Sequence, residues 1–181
     1  MITVISGTNR PNSLTSVAAN HYVTFLRKNT EEQVNFLSLE SLSNDILHAD
    51  MYQPTKQAAS LAQLQDEFII PANKFVFVLP EYNGSFPGVL KLFIDACSVR
   101  ENKKNFKGKK AALIGVADGR AGNLRGLDHL TGMLNYLGVI VMPDRLPISS
   151  FSKLIDKETR QITDEPTLLT IENHTKEFSI F

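Results

Sequence analysis

The sequence predicts an α/β fold, a doubly wound sheet of five parallel strands in the order 2-1-3-4-5 with helices on both faces. Two observations carry this prediction. Apolar runs of strand length alternate with stretches of helical period along the chain, a succession that implies right-handed crossovers and a sheet covered on both sides. The polar, glycine-containing loops fall after the first, third and fourth of these runs. In a doubly wound sheet those three strand ends meet beside the reversal of strand order, where ligands sit. No repeat, low-complexity run or linker divides the 181 residues, so 1–181 is expected to form one domain.

The elements follow in order. Residues 2–5 read as a buried strand, and Leu14, Val17, Ala18, Tyr22, Phe25 and Leu26 then recur at helical spacing. A second strand covers 33–39. Residues 41–57 have no clean period and read as an irregular excursion. A helical period returns over 58–70 and ends at Pro71. The third strand is KFVFVL at 74–79, followed by the loop PEYNGSFPG, and Pro87 suits the first turn of a helix running to about Val99. The fourth strand spans 110–117, the loop DGRAGN follows, and a helix covers 124–137. A short fifth strand is expected at 139–142. From Ser149 the tail is polar and closes with a helix around 166–178. The five-strand succession fits a flavodoxin-like sheet.

Composition narrows the class of function. Nineteen basic and nineteen acidic residues cancel, so no overall field recruits nucleic acid or an anionic membrane surface. No apolar stretch approaches the roughly 18 residues of a membrane span, and the start lacks the basic flank and apolar core of a signal peptide. The single cysteine, Cys97, excludes an internal disulfide framework. A cytoplasmic protein is expected.

The first loop, SGTNRPNSLTS at 6–16, sets Thr8, Arg10, Ser13 and Thr15 ahead of a helix, and no acid occurs before Glu31. A helix N-terminus attracts anions, phosphate above all. The single Gly7 excludes a dinucleotide loop, and a Walker ending is absent. Hydroxyls without glycines suit one terminal phosphate. A plain strand-to-helix turn with Ser13 as N-cap fits the same residues. In the second loop, Asn83-Gly84 marks a tight turn stiffened by Pro80 and Pro87. Its backbone groups could read the edge of a planar heterocycle while Tyr82 supplies an aromatic wall. An empty, well-formed connection is the alternative. In the third loop, Gly119 and Gly122 permit close approach of a ligand or a positive φ.

Read together, GTNRPNSLT and PEYNGSFPGVLKLFIDACS resemble the NADPH-dependent FMN reductase family, which includes quinone, azo-dye and chromate reductases. The likeness covers roughly residues 1–145. It implies FMN as cofactor and NADPH (or NADH) as electron donor. It places Thr8, Arg10, Ser13 and Thr15 around the FMN phosphate, although the family usually carries asparagine where this chain has Thr15. It sets Pro80, Glu81, Tyr82, Asn83, Gly84 and Ser85 against the flavin ring. Ala117, Asp118 and Gly119 would flank the pyrimidine end, with the Asp118 carboxylate turned away from a ring that becomes anionic on reduction. Tyr82, Asn83 and Arg100 are expected on the substrate side. The implied reaction moves hydride from NADPH to bound FMN, then electrons to a quinone, azo, metal-oxyanion or free flavin acceptor, by a ping-pong scheme. The flavin carries that chemistry, so no residue is expected as a catalytic acid or base. The family usually forms homodimers or homotetramers, and the helix at 124–137, with Met133, Leu134 and Tyr136, could serve such an interface.

A flavodoxin-type electron carrier, a non-catalytic FMN-binding module, and a protein that releases flavin as a substrate are the rival readings. His21, His48, His129 and His174 lack metal-ligand spacing, so no metal site is expected. No serine-hydrolase elbow is present. The basic run RENKKNFKGKK at 100–110 reads as a solvated loop, or as an attraction for the extra phosphate of NADPH.

Overall fold

A computed structural model describes residues 1–181. The first apolar run forms β1 (Ile2–Ser6), every residue of which is buried. Helix α1 (Leu14–Asn29) returns the chain to β2 (Val34–Ser38), which pairs parallel to β1. The excursion at 41–57 holds only short 3-10 turns. Helix α2 (Ala59–Leu64) runs on into five residues of π-helix, Gln65–Ile69, ahead of Pro71. Next come β3 (Lys74–Pro80), α3 (Gly88–Cys97) and the single turn α4 (Asn102–Asn105), which lies inside the basic run. Then follow β4 (Lys110–Val116) and α5 (Leu124–Tyr136).

The strand order is β2-β1-β3-β4 with the last strand position beyond β4, the doubly wound order expected from the sequence. The short fifth strand forms within the expected 139–142 as β5 (Ile140–Val141), and a further segment not expected from the sequence, β6 (Leu146–Ile148), joins the same sheet, which has six strands. β5 pairs with Lys110 and Ala111, and β6 pairs with the other end of β4 at Ile114–Val116. Pro143 lies in the break between them and has no N–H to donate to the ladder.

Alternation along the strands divides the core in two. Phe75, Phe77 and Leu79 face Leu90 and Phe93 of α3 and Leu127, Leu130 and Leu134 of α5. Val76 and Val78 face Ala18, Ala19 and Tyr22 of α1 and Ile171 and Phe178 of the closing helix. That helix, α6 (Glu165–Ile180), starts where the Asp164 carboxylate accepts the Thr167 N–H (3.0 Å) and hydroxyl (2.6 Å), a side-chain N-cap. Burial on both faces is what a parallel sheet requires. No helix is long and apolar enough to cross a membrane.

The strands' shared direction puts the loops after β1, β3 and β4 at one end. The segment after β6 crosses beneath them: Ala117 N–H donates to Ile148 O (3.0 Å) and Phe151 N–H donates to Ala117 O (3.2 Å).

Candidate active site

The first loop is anchored at both ends. Gly7 N–H donates to Val78 O (2.8 Å), extending the ladder past β1. A Cβ at Gly7 would come within 3.1 Å of Leu90 Cδ2, so the tight start of the loop favours glycine. Ser13 is the N-cap of α1, its Oγ accepting the Ser16 N–H at 3.2 Å. The Ser16 hydroxyl lies 3.0 Å from Ser13 Oγ and 3.2 Å from Ser6 Oγ. The cap uses a lone pair of Ser13 Oγ and not its hydroxyl proton, so capping does not itself compete with anion binding. The N–H groups of Leu14 and Thr15 have no acceptor within the helix, and the first turn holds no acid. That turn is therefore a partial positive charge with donors aimed outward.

Thr8 ties the first loop to the second. Its buried Oγ1 accepts the Arg10 N–H (3.2 Å) and lies 2.8 Å from Tyr82 Oη. In the second loop Tyr82 and Ser85 exchange both backbone hydrogen bonds, Tyr82 N–H to Ser85 O at 2.9 Å and Ser85 N–H to Tyr82 O at 3.1 Å. Asn83 (φ 53°) and Gly84 (φ 77°) lie between them in the left-handed region, the geometry of a type I′ turn that Asn-Gly favours. The Glu81 carboxylate accepts the Gly84 N–H and closes the turn. Ser85 Oγ reaches His129 Nδ1 on α5 at 2.9 Å.

The third loop is fixed mainly by packing. Gly122 has φ 54°, and a Cβ there would lie 2.8 Å from the backbone of Pro147 and Ile148. A Cβ at Gly115 would lie 2.3 Å from Gly122 O. Gly119 faces open space. Asp118 Oδ1 accepts the Ser152 N–H at 2.8 Å. That N–H, with the Ser152 hydroxyl, holds the Asp118 carboxyl below its ordinary value.

The three loops enclose a cleft of about 450 Å³, within the roughly 300–1,000 Å³ of small-molecule sites. Arg10, Ser13 and Thr15 line it from the first loop, Pro80, Glu81 and Tyr82 from the second, and Ala117, Asp118 and Gly119 from the third. Thr8 sits behind this wall through its bond to Tyr82. Asn83, Gly84 and Ser85 form the turn beyond Tyr82 and are not part of the lining.

Arg100 is not brought to the cleft. It follows α3, which leads away from the second loop, and its guanidinium pairs with Asp66 at 2.6 Å. The basic run at 100–110 shares that position at the amino-terminal end of β4. It therefore stands at the end of the sheet opposite the cleft.

Sequence reasoning missed Phe151. It lines the cleft and is buried among the residues of the α1–α6 face, but it lies in a polar tail with no local signal. Asn12 also lines the cleft, with φ 53° and its N–H donating to Glu40 Oε1 at 3.3 Å. Its place inside the first loop was the available clue.

The sequence profile of the NADPH-dependent FMN reductases matches residues 1–153. The chain belongs to the NADPH-dependent FMN reductase family. A relative from Pseudomonas aeruginosa, an NAD(P)H-dependent FMN reductase, is 31% identical over 162 residues, 89% of this chain and 84% of its own. A 2-hydroxy-1,4-benzoquinone reductase from Burkholderia sp. is 32% identical over 101 residues, 51% of this chain and 55% of its own. Among solved structures, FerB of Paracoccus denitrificans, a flavoenzyme NAD(P)H:(acceptor) oxidoreductase, superimposes with TM-score 0.77 at 25% identity, over 99% of this chain and 94% of its own. As a member of this family the protein is an oxidoreductase, with FMN as cofactor and NAD(P)H as electron donor. The donor set fits that cofactor. An acid-free helix start with Arg10, Ser13 and Thr15 beside it suits a phosphate dianion, and the two carboxylates in the lining are already engaged by the N–H groups of Gly84 and Ser152.

Proposed function

We propose that the cleft at the carboxyl ends of β1, β3 and β4 holds FMN, with its phosphate in the first loop and its ring between the second and third. The observation that supports this most is the convergence of three polar loops on one cleft whose only uncommitted charge is the Arg10 cation. Thr8, Arg10, Ser13 and Thr15 would serve the phosphate, Thr8 by fixing Tyr82 and the Arg10 backbone. Pro80, Glu81 and Tyr82 would wall the ring, and Asn83, Gly84 and Ser85 would hold that wall rigid. Ala117, Asp118 and Gly119 would close the other side, the Asp118 carboxylate held away by Ser152. Tyr82 and Asn83 would meet the substrates.

FMN, when bound, supplies the redox chemistry, taking a hydride equivalent from NAD(P)H and delivering two electrons to a quinone, azo, metal-oxyanion or free flavin acceptor. The chain's own residues bind and orient, and none is needed as acid or base. The other two sizeable cavities lie beside α6 and α1, and no residue of the three loops lines either. Donor and acceptor would therefore use one cleft in turn. Initial-velocity measurements with NADPH and a soluble quinone are expected to give parallel double-reciprocal lines. Intersecting lines would mean that both substrates bind together and would remove the ping-pong scheme.

The same reading extends to assembly as a homodimer or homotetramer. Leu134 belongs to the core and Met133 packs against it, but Tyr136 is 90% exposed at the end of α5, near exposed Ile140 of β5. An interface on this face predicts a size-exclusion and light-scattering mass of two or four chains, reduced by Tyr136→Glu. The lone Cys97, buried in α3, supports a cytoplasmic setting.

A further inference from the structure

The family profile ends at residue 153, yet the chain beyond it returns to the first loop. Ile155 and Ile162 form an antiparallel bridge. The turn between them is closed by Asp156, whose Oδ1 accepts the N–H of Glu158 (3.1 Å) and the N–H and hydroxyl of Thr159 (2.7 and 2.8 Å). Its backbone is locked by Asp156 N–H to Gln161 O and Arg160 N–H to Asp156 O, both 2.9 Å. The hairpin is fastened to α1 where Ile162 N–H donates to His21 Nε2 at 3.2 Å, and Ile162 is buried against the α1–α6 core. At its tip Arg160 takes φ 55°, a conformation that costs an ordinary residue energy and persists where the surroundings impose it. From there its Nη2 donates to Asn12 O at 2.8 Å, joining residues 148 positions apart.

Asn12 lines the cleft immediately before the N-cap Ser13, and it too takes a left-handed φ, 53°. Its N–H points to Glu40 and its carbonyl to Arg160, so the peptide groups on both sides of Asn12 are tied from outside the loop. A loop that must present N–H groups to an anion gains affinity when it is held in the binding conformation beforehand. Arg160 does not line the cleft, so its action runs through Asn12.

We propose that Arg160 is a positioning residue for the first loop. The 155–162 hairpin is then a strap that preorganises the phosphate-binding end of the cleft, and it sets the preference for phosphorylated over unphosphorylated flavin. This rests on the reading that the first loop holds the FMN phosphate.

The test compares FMN with riboflavin, which has the same ring and no phosphate. Affinities are measured by flavin fluorescence quenching for wild type, Arg160→Ala, Arg160→Lys and Arg10→Ala. Arg160→Ala is expected to weaken FMN by about tenfold, the scale of one charge-assisted hydrogen bond, while riboflavin affinity stays within about twofold. Arg160→Lys, which keeps a charged donor, should recover most of the loss. A general loss of fold would weaken both flavins together, and that result, or unchanged FMN affinity, overturns the proposal. If Arg10→Ala lowers the FMN preference and Arg160→Ala does not, the phosphate loop stands and the strap is wrong. If wild type binds both flavins equally, the phosphate loop itself is wrong and the strap falls with it.

Discussion

Arg10 and Ser13 carry different parts of the proposed phosphate contact, one an exposed charge and the other a hydroxyl oxygen fixed by its cap. Arg10→Ala and Ser13→Ala are each expected to weaken FMN binding by about 1–3 kcal/mol, the range of charge-assisted hydrogen bonds, as read by equilibrium titration. Ser13→Ala should also lower the melting temperature, because it removes the N-cap of α1 at a cost of about 1 kcal/mol. Among the glycines, Gly115 and Gly119 look alike in sequence and differ in space. Gly115→Ala puts a methyl 2.3 Å from Gly122 O and should destabilise the fold by about 3 kcal/mol in urea denaturation, at the upper end of overpacking costs. Gly119→Ala meets nothing within 4 Å and should change stability by less than about 0.5 kcal/mol. The motif residues of the second loop were legible because Asn-Gly has one favoured hairpin geometry. The role of Glu81 was not, since nothing local distinguishes a carboxylate that closes its own turn from one that faces a ligand. Arg100 failed for a related reason: it follows the second-loop helix in sequence, but α3 carries it to the far end of the sheet, where Asp66 holds it.

At the scale of elements, the contact between α1 and α6 makes a pH prediction. Tyr22 Oη lies 2.9 Å from His174 Nδ1, and His174 Nε2 lies 3.2 Å from Asp144 O. A neutral ring with its proton on Nε2 satisfies both contacts, donating to the Asp144 carbonyl and accepting from Tyr22. Burial lowers the His174 pKa from 6.5, and the contacts with Asp144 oppose this only in part. Below about pH 6.5 the unfolded chain takes up a proton that the folded state resists, so the unfolded state gains and stability falls as pH drops. Denaturation midpoints should decline between neutral pH and about pH 5, and His174→Gln should flatten that slope. A slope unchanged in the variant would assign it to other groups. The helices and central strands were readable because their periods of 3.6 and strand-length apolar runs match how they are buried. The split of the last strand was not readable in full: Pro143 signals a break, but the pairing of 146–148 with the far end of β4 depends on a partner distant in sequence. Phe151 and the 155–162 hairpin were hidden for the same reason, because their partners Ala117 and Asn12 lie in loops far from them along the chain.

For the whole molecule, the sheet order gathers the three polar loops and their cleft at one end and a set of charged ties at the other. The cleft draws on loops after β1, β3 and β4. The opposite end gathers the Arg100–Asp66 pair, the basic run, and Lys74 Nζ donating to Ser179 O at 2.9 Å. An electron carrier docks a protein on its flavin edge, whereas the family placement and the small cleft fit an enzyme that acts on small molecules. The most direct test is an anaerobic titration of the FMN-loaded protein with NADPH, following flavin absorbance. Bleaching much faster than that of free FMN is expected, complete at one NADPH per flavin and reversed on adding a quinone. Bound flavin that NADPH reduces no faster than free FMN would contradict the proposed function.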